Sequence, residues 1–123
     1  LNDLFSITTP FPTERMAARA LDHADDILLI LKKRLAENRL LVEDFLSRHT
    51  ELAWTPPDAG PVGFVRLKEG SVDELVAQLL EKNAAVAPGR FFGGADHFRL
   101  GFGMSKEILV EGLRRLDDVL QQR

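Results

Sequence analysis

Apolar residues recur along this chain in two rhythms, and the switches between them mark its elements. From Thr13 to about Arg48 no Gly or Pro intervenes, and Met16, Ala20, Ile27, Leu31, Val42 and Phe45 fall on a helical stripe. This predicts one long helix, with Thr13 as its N-cap and Glu14 complementing the dipole of the first turn. At about 1.5 Å per residue it would exceed roughly 50 Å, longer than a small domain requires. Its run Ile27-Leu28-Leu29-Ile30-Leu31 is apolar nearly all the way round. Such a run wants cover on every side. Either it faces a missing domain or another subunit, or it passes through this domain's own core.

Beyond the helix the period shortens to two. Leu52-Ala53-Trp54 reads as a short strand, Thr55 to Gly60 as a turn, and Val62 to Lys68 as a second strand with Val65 and Leu67 alternating against Phe64 and Arg66. Ser71-Val72-Asp73-Glu74 is a capping box opening a helix, and Asn83 suits its left-handed end. Val86 to Gly103 reads as strand, wide turn, strand. Ser105 then caps a last helix whose buried face is Ile108, Leu109, Gly112, Leu113, Leu116 and Leu120. The expected class is α+β: a small mixed or antiparallel sheet with helices packed on one side, preceded by a long N-terminal helix. The expected divisions are an extended lead-in at 1–12, an interdomain-type helix at 13–49, and an α+β small domain at 50–123.

The last strand carries the most pointed chemistry. Phe98, Leu100 and Phe102 share one face, while His97, Arg99 and Gly101 share the other. With the aromatics in a core, Arg99 stands among small neighbours, and its planar fork suits a carboxylate or phosphate gripped by two parallel hydrogen bonds. The plainer reading is a polar residue on the wet face of a half-exposed sheet. Gly63, inside the second strand, costs stability and marks a close approach by another group, or else is an edge-strand glycine.

Composition narrows the classes. With 123 residues, 45% hydrophobic and 28% charged, the chain fits one folded domain. A net charge of −3 without a basic block argues against nucleic-acid binding. The absence of cysteine excludes disulfides, thiolate zinc sites and a cysteine nucleophile, and is compatible with a cytoplasmic protein. No apolar run approaches the roughly 20 residues that span a bilayer. The start at Leu1-Asn2-Asp3, without an initiator Met or a basic signal region, suggests a piece cut from something longer. His23, His49 and His97 share no metal-ligand spacing, and His23 and His49 read as solvated helix residues. Gly101 to Lys106 lacks the full spacing of a phosphate loop. Lys32, Lys33, Lys68, Lys82 and Lys106 all sit in polar contexts, none suited to Schiff-base chemistry.

The stretch Val86 to Gly89, Phe92-Gly93 and His97-Phe98-Arg99-Leu100-Gly101-Phe102 resembles the C-terminal signature of class I/II aminotransferases, the pyridoxal 5'-phosphate (PLP) enzymes of fold type I. The likeness extends loosely over nearly the whole chain, from Ser6-Ile7-Thr8-Thr9-Pro10 through the long helix and Trp54 to Leu67. It implies that Arg99 binds the substrate's α-carboxylate, that Gly63 makes space beside the substrate, and that Phe91, Phe92 and Gly93 form the turn beside that arginine. His97, two residues before Arg99 on the same side of the strand, either lines the same cavity or is a surface histidine. It implies a cofactor domain upstream holding the lysine, an amino-acid and keto-acid substrate pair, and a homodimer. The fragment by itself is expected neither to bind PLP covalently nor to transaminate. The alternative is a free-standing α+β module that holds a small anion at Arg99.

Overall fold

A computed structural model of the chain describes residues 10–123; most of the expected lead-in at 1–12 lies outside them. The chain divides into a unit ending at Lys32 and a unit Lys33–Arg123.

In the first unit the expected single helix is two. Helix α1 runs Phe11–Asp22, and α2 runs Ala24–Arg48 across the division. Helix α1 starts before Thr13: the Pro10 carbonyl accepts from the Thr13 and Glu14 amides at 2.9 and 3.2 Å. Pro12 sits in the first turn, where its missing N–H costs nothing. The break falls at His23 (φ −112°, ψ 20°), whose amide turns back to the Ala20 carbonyl at 3.2 Å. Neither Gly nor Pro stands there, so the interruption carries no mark in the sequence. Ile27 to Leu31 are all exposed, from 40% to 70%.

The second unit is a four-stranded antiparallel sheet with helices on its apolar face. Strands β1 (Leu52–Trp54), β2 (Val62–Leu67), β3 (Ala87–Pro88) and β4 (His97–Gly101) lie in the order β1-β2-β4-β3. Helices α3 (Val72–Glu81) and α4 (Lys106–Leu120) join the C-terminal half of α2 in covering Val65, Leu67, Phe98, Leu100 and Phe102. Two of the expected local signals appear as read: the Glu74 amide donates to the Ser71 hydroxyl at 3.3 Å, and Asn83 adopts φ 54°. Ser105 holds the N-cap position of α4 but caps no backbone amide. Ile108, expected in the buried face of α4, is 63% exposed, whereas Val119 is buried.

Two polar features fix how the helices sit. Asn38, only 1% exposed, donates from Nδ2 to the carbonyls of Phe102 and Met104 at 2.8 and 2.9 Å. Its buried Oδ1 has no partner among the described residues. His49 is not the solvated helix residue expected: just past the end of α2 its ring lies against that of Phe45 at 4.3 Å, tilted by 36°, with Glu51 at 2.9 Å and Asp117 at 3.3 Å from its two ring nitrogens.

On α4, Arg115 donates to the Lys82 and Asn83 carbonyls at the end of α3 while bonding Glu111. Hydrogen bonds from Arg114 first and Arg115 next hold the Glu111 carboxyl at about 2, against its ordinary 4.5. A depressed folded-state pKa contributes stability above the unfolded value that is lost as pH falls through the folded one. Thermal melts between pH 4.5 and 2 should therefore show a steeper acid decline for the native protein than for Glu111→Gln. Parallel profiles would mean the carboxylate adds nothing.

Candidate functional site

The open face of the sheet is where charge and aromatic surface meet. Phe64 stands opposite Arg99 and Arg66 opposite His97 in the β2–β4 register. Three arginines lie on or beside this face, and two are committed. Arg66 donates to Asp96 at 2.7 Å, and Arg90, in the turn between β3 and β4, pairs with Asp73. The third, Arg99, has no carboxylate within ion-pair reach and no side-chain hydrogen bond among the described residues. Its exposed guanidinium instead lies over the Phe92 ring, 4.5 Å from the centroid.

The turn that brings Phe92 there is tightly specified. Gly89–Phe92 form a 3-10 turn closed by Gly93 in the left-handed region (φ 83°), and the Gly94 amide returns to the Gly89 carbonyl at 3.0 Å. A side chain at Gly89 would run into the backbone of Gly94 and His97. Phe91 is exposed, with the Arg90 guanidinium 4.6 Å from its ring centroid.

His97 is half-buried on the same face as Arg99, stacked on Phe64 at 4.6 Å, its Nδ1 2.6 Å from Asp96. Asp96 therefore serves His97 and Arg66 together. The His97 hydrogen bond, followed by that of Arg66, holds its carboxyl below the usual range. Gly94 closes this group, since a Cβ there would lie 2.9 Å from the Phe64 ring and 3.0 Å from His97. Neither Asp96 nor Gly94 carries a mark in the sequence pattern that points to this group.

Gly63 lies elsewhere. It shares the core face with Val65 and Leu67, and a Cβ would sit 2.7 Å from the Trp54 ring. Its missing side chain makes space for Trp54, on the face opposite Arg99, so the structure does not bring the two together.

Arg99 also borders a cavity of about 730 Å³ at the β3–β4 edge, walled by Leu79, Val86, Met104 and Ile108. Phe91, Phe92, Gly93, His97 and Gly63 do not line it. Of the lysines, Lys32, Lys33, Lys68 and Lys106 are exposed and Lys82 is half-buried in this chain. No cluster of three or more His, Asp or Glu among the described residues is arranged to hold a metal ion. No described helix is long and apolar enough to cross a membrane.

The geometry gives a planar cation on a strand, its donors unspent among the described residues. Comparison with known proteins sets it in a family, because residues 3–116 match aminotransferase class I and II. The chain belongs to that family. This aminotransferase-family chain is 29% identical over 123 residues to capreomycidine synthase of Streptomyces vinaceus, covering 98% of the chain and 32% of the synthase. Among solved structures, a PLP-dependent aminotransferase from Streptococcus suis 89-1591 matches 98% of the chain with 33% of its own, at a TM-score of 0.91. At 24% identity that likeness shows the fold. LysN, an α-aminoadipate aminotransferase of Thermus thermophilus complexed with N-(5'-phosphopyridoxyl)-L-leucine, matches 85% of the chain and 29% of its own at 26% identity, TM-score 0.73. The chain spans about a third of the length of these relatives.

Proposed function

We propose that this chain is the small domain of a PLP-dependent aminotransferase and supplies the grip on the substrate's α-carboxylate. The observation that carries the reading is Arg99: alone of the three arginines around the open face, it has no carboxylate within ion-pair reach among the described residues. A carboxylate arriving in the plane of its fork accepts two parallel, charge-assisted hydrogen bonds, which fix the orientation of the attached α-carbon. In this reading the lysine that attaches PLP belongs to the parent's cofactor domain, and this chain's own part in the reaction is binding and orientation. The amino group would pass from an amino acid to a keto acid in the parent, a soluble cytoplasmic homodimer whose cofactor domain precedes this one. The test is Arg99→Lys in the full-length enzyme, assayed on an amino acid and on its decarboxylated amine.

The match to a synthase over 98% of the chain favours a second reading, in which the same grip serves a reaction other than amino transfer. Keto-acid formation in stoichiometric amount would decide for transfer. A free-standing anion-binding module finds no support in the family match.

In the same reading the stretch 13–49 threads between domains, and its exposed run Ile27 to Leu31 is covered by the cofactor domain or a partner subunit. The 123-residue chain by itself should then associate as concentration rises in sedimentation. A strict monomer with no dye-accessible apolar surface would overturn this assignment of the run.

A further inference from the structure

We infer that Phe92 is the positioning residue of the site: its ring sets the plane of the Arg99 guanidinium, leaving the N–H edge to the carboxylate. The inference rests on the reading of Arg99 given above. The strand holds the Arg99 backbone on both sides, opposite Phe64 on β2 and opposite Ala87 on β3. Beyond Cβ the side chain is long and flexible, and no hydrogen bond from a described residue restrains it. The Phe92 ring at 4.5 Å is the contact that orients it. With its Cζ over the ring, the guanidinium can lie flat on Phe92, and in that pose all five donors stay in its own plane, so ring and carboxylate would not compete.

The surroundings agree with this role. Phe92 is 49% exposed, so its burial gives the fold little, yet its turn is held by a left-handed Gly93 and a Gly89 with no room for a side chain. Arg90 on Phe91 offers a contrast, because that guanidinium is already paired with Asp73.

The experiment compares Phe92→Leu and Phe92→Tyr in the full-length enzyme, each alone and combined with Arg99→Lys. Phe92→Leu should lower kcat/KM for the amino acid about 3- to 30-fold, mostly through KM, the span of a guanidinium–ring contact. The decarboxylated amine should be unaffected, and Phe92→Tyr, which keeps the ring, should restore the native value. In an Arg99→Lys background the Phe92→Leu loss should largely vanish. Calorimetric binding of the des-amino monocarboxylate, which cannot react, should weaken by the same factor. Equal losses on acid and amine, or full additivity with Arg99→Lys, would overturn the inference. If Arg99→Lys discriminates acid from amine while Phe92→Leu does not, only the positioning role falls. If Arg99→Lys fails to discriminate, the carboxylate reading falls and takes the positioning role with it.

Discussion

Arg99→Lys in the full-length enzyme should fold normally and lose about 30-fold to several-thousand-fold in kcat/KM toward its amino acid. The side chain is exposed on the open face and outside the packed cluster, so the core is untouched. Lysine keeps the charge but loses the planar fork, and with it both the two-point grip and the guanidinium that lies over the Phe92 ring. Truncating a desolvated, hydrogen-bonded charge pair costs about 2–5 kcal/mol, and each 1.4 kcal/mol is a decade. Amines without a carboxylate have nothing to lose at this position and should keep most of their activity. Equal loss on acids and amines would make Arg99 structural.

Gly89→Ala should be the most damaging single methyl on this side of the sheet, destabilising by about 3 kcal/mol, the upper end for overpacking. Its Cβ would meet the Gly94 carbonyl oxygen and the His97 carbonyl, all backbone atoms that cannot rotate aside. Relief requires the turn to open, which moves Phe92 and strains the entry of β4. Gly93→Ala is the control. There a Cβ meets nothing within 4 Å, and only the positive φ is penalised, at about 1–2 kcal/mol. Urea titration of both variants tests the ranking. Gly89→Ala at native stability would mean that the turn adapts freely.

The face of Arg99 was legible because period-two alternation needs no partner strand: Phe98, Leu100 and Phe102 are all buried while Arg99 is exposed. The same arithmetic places Gly63 with Val65 and Leu67 on the core face; the family resemblance, not the alternation, put it beside the substrate. What could not be read were contacts made by register. Arg66 meets Asp96 across thirty positions, and Phe64 finds His97 only once β2 and β4 are paired. Asn38 left a faint mark, standing on the apolar stripe four residues before Val42, but its partners lie more than sixty positions away. The break at His23 had no mark of composition at all, and the site of the Phe92 ring depended on a turn whose 3-10 form single residues do not announce.

Asn38 has a further consequence for how the chain can move. Its amide holds two carbonyls, of Phe102 and Met104, in the connection that leads from β4 into α4. Were α2 to slip along its axis by even one residue, both carbonyls would lose this donor, and the buried bond to the Phe102 carbonyl would cost about 1–3 kcal/mol. An axial slip is thereby disfavoured, and the C-terminal half of α2 is tied to the connection between β4 and α4. If the Arg99 grip proposed above involves a closing motion, rotation of α2 together with the sheet would keep both bonds, whereas sliding of one past the other would break them.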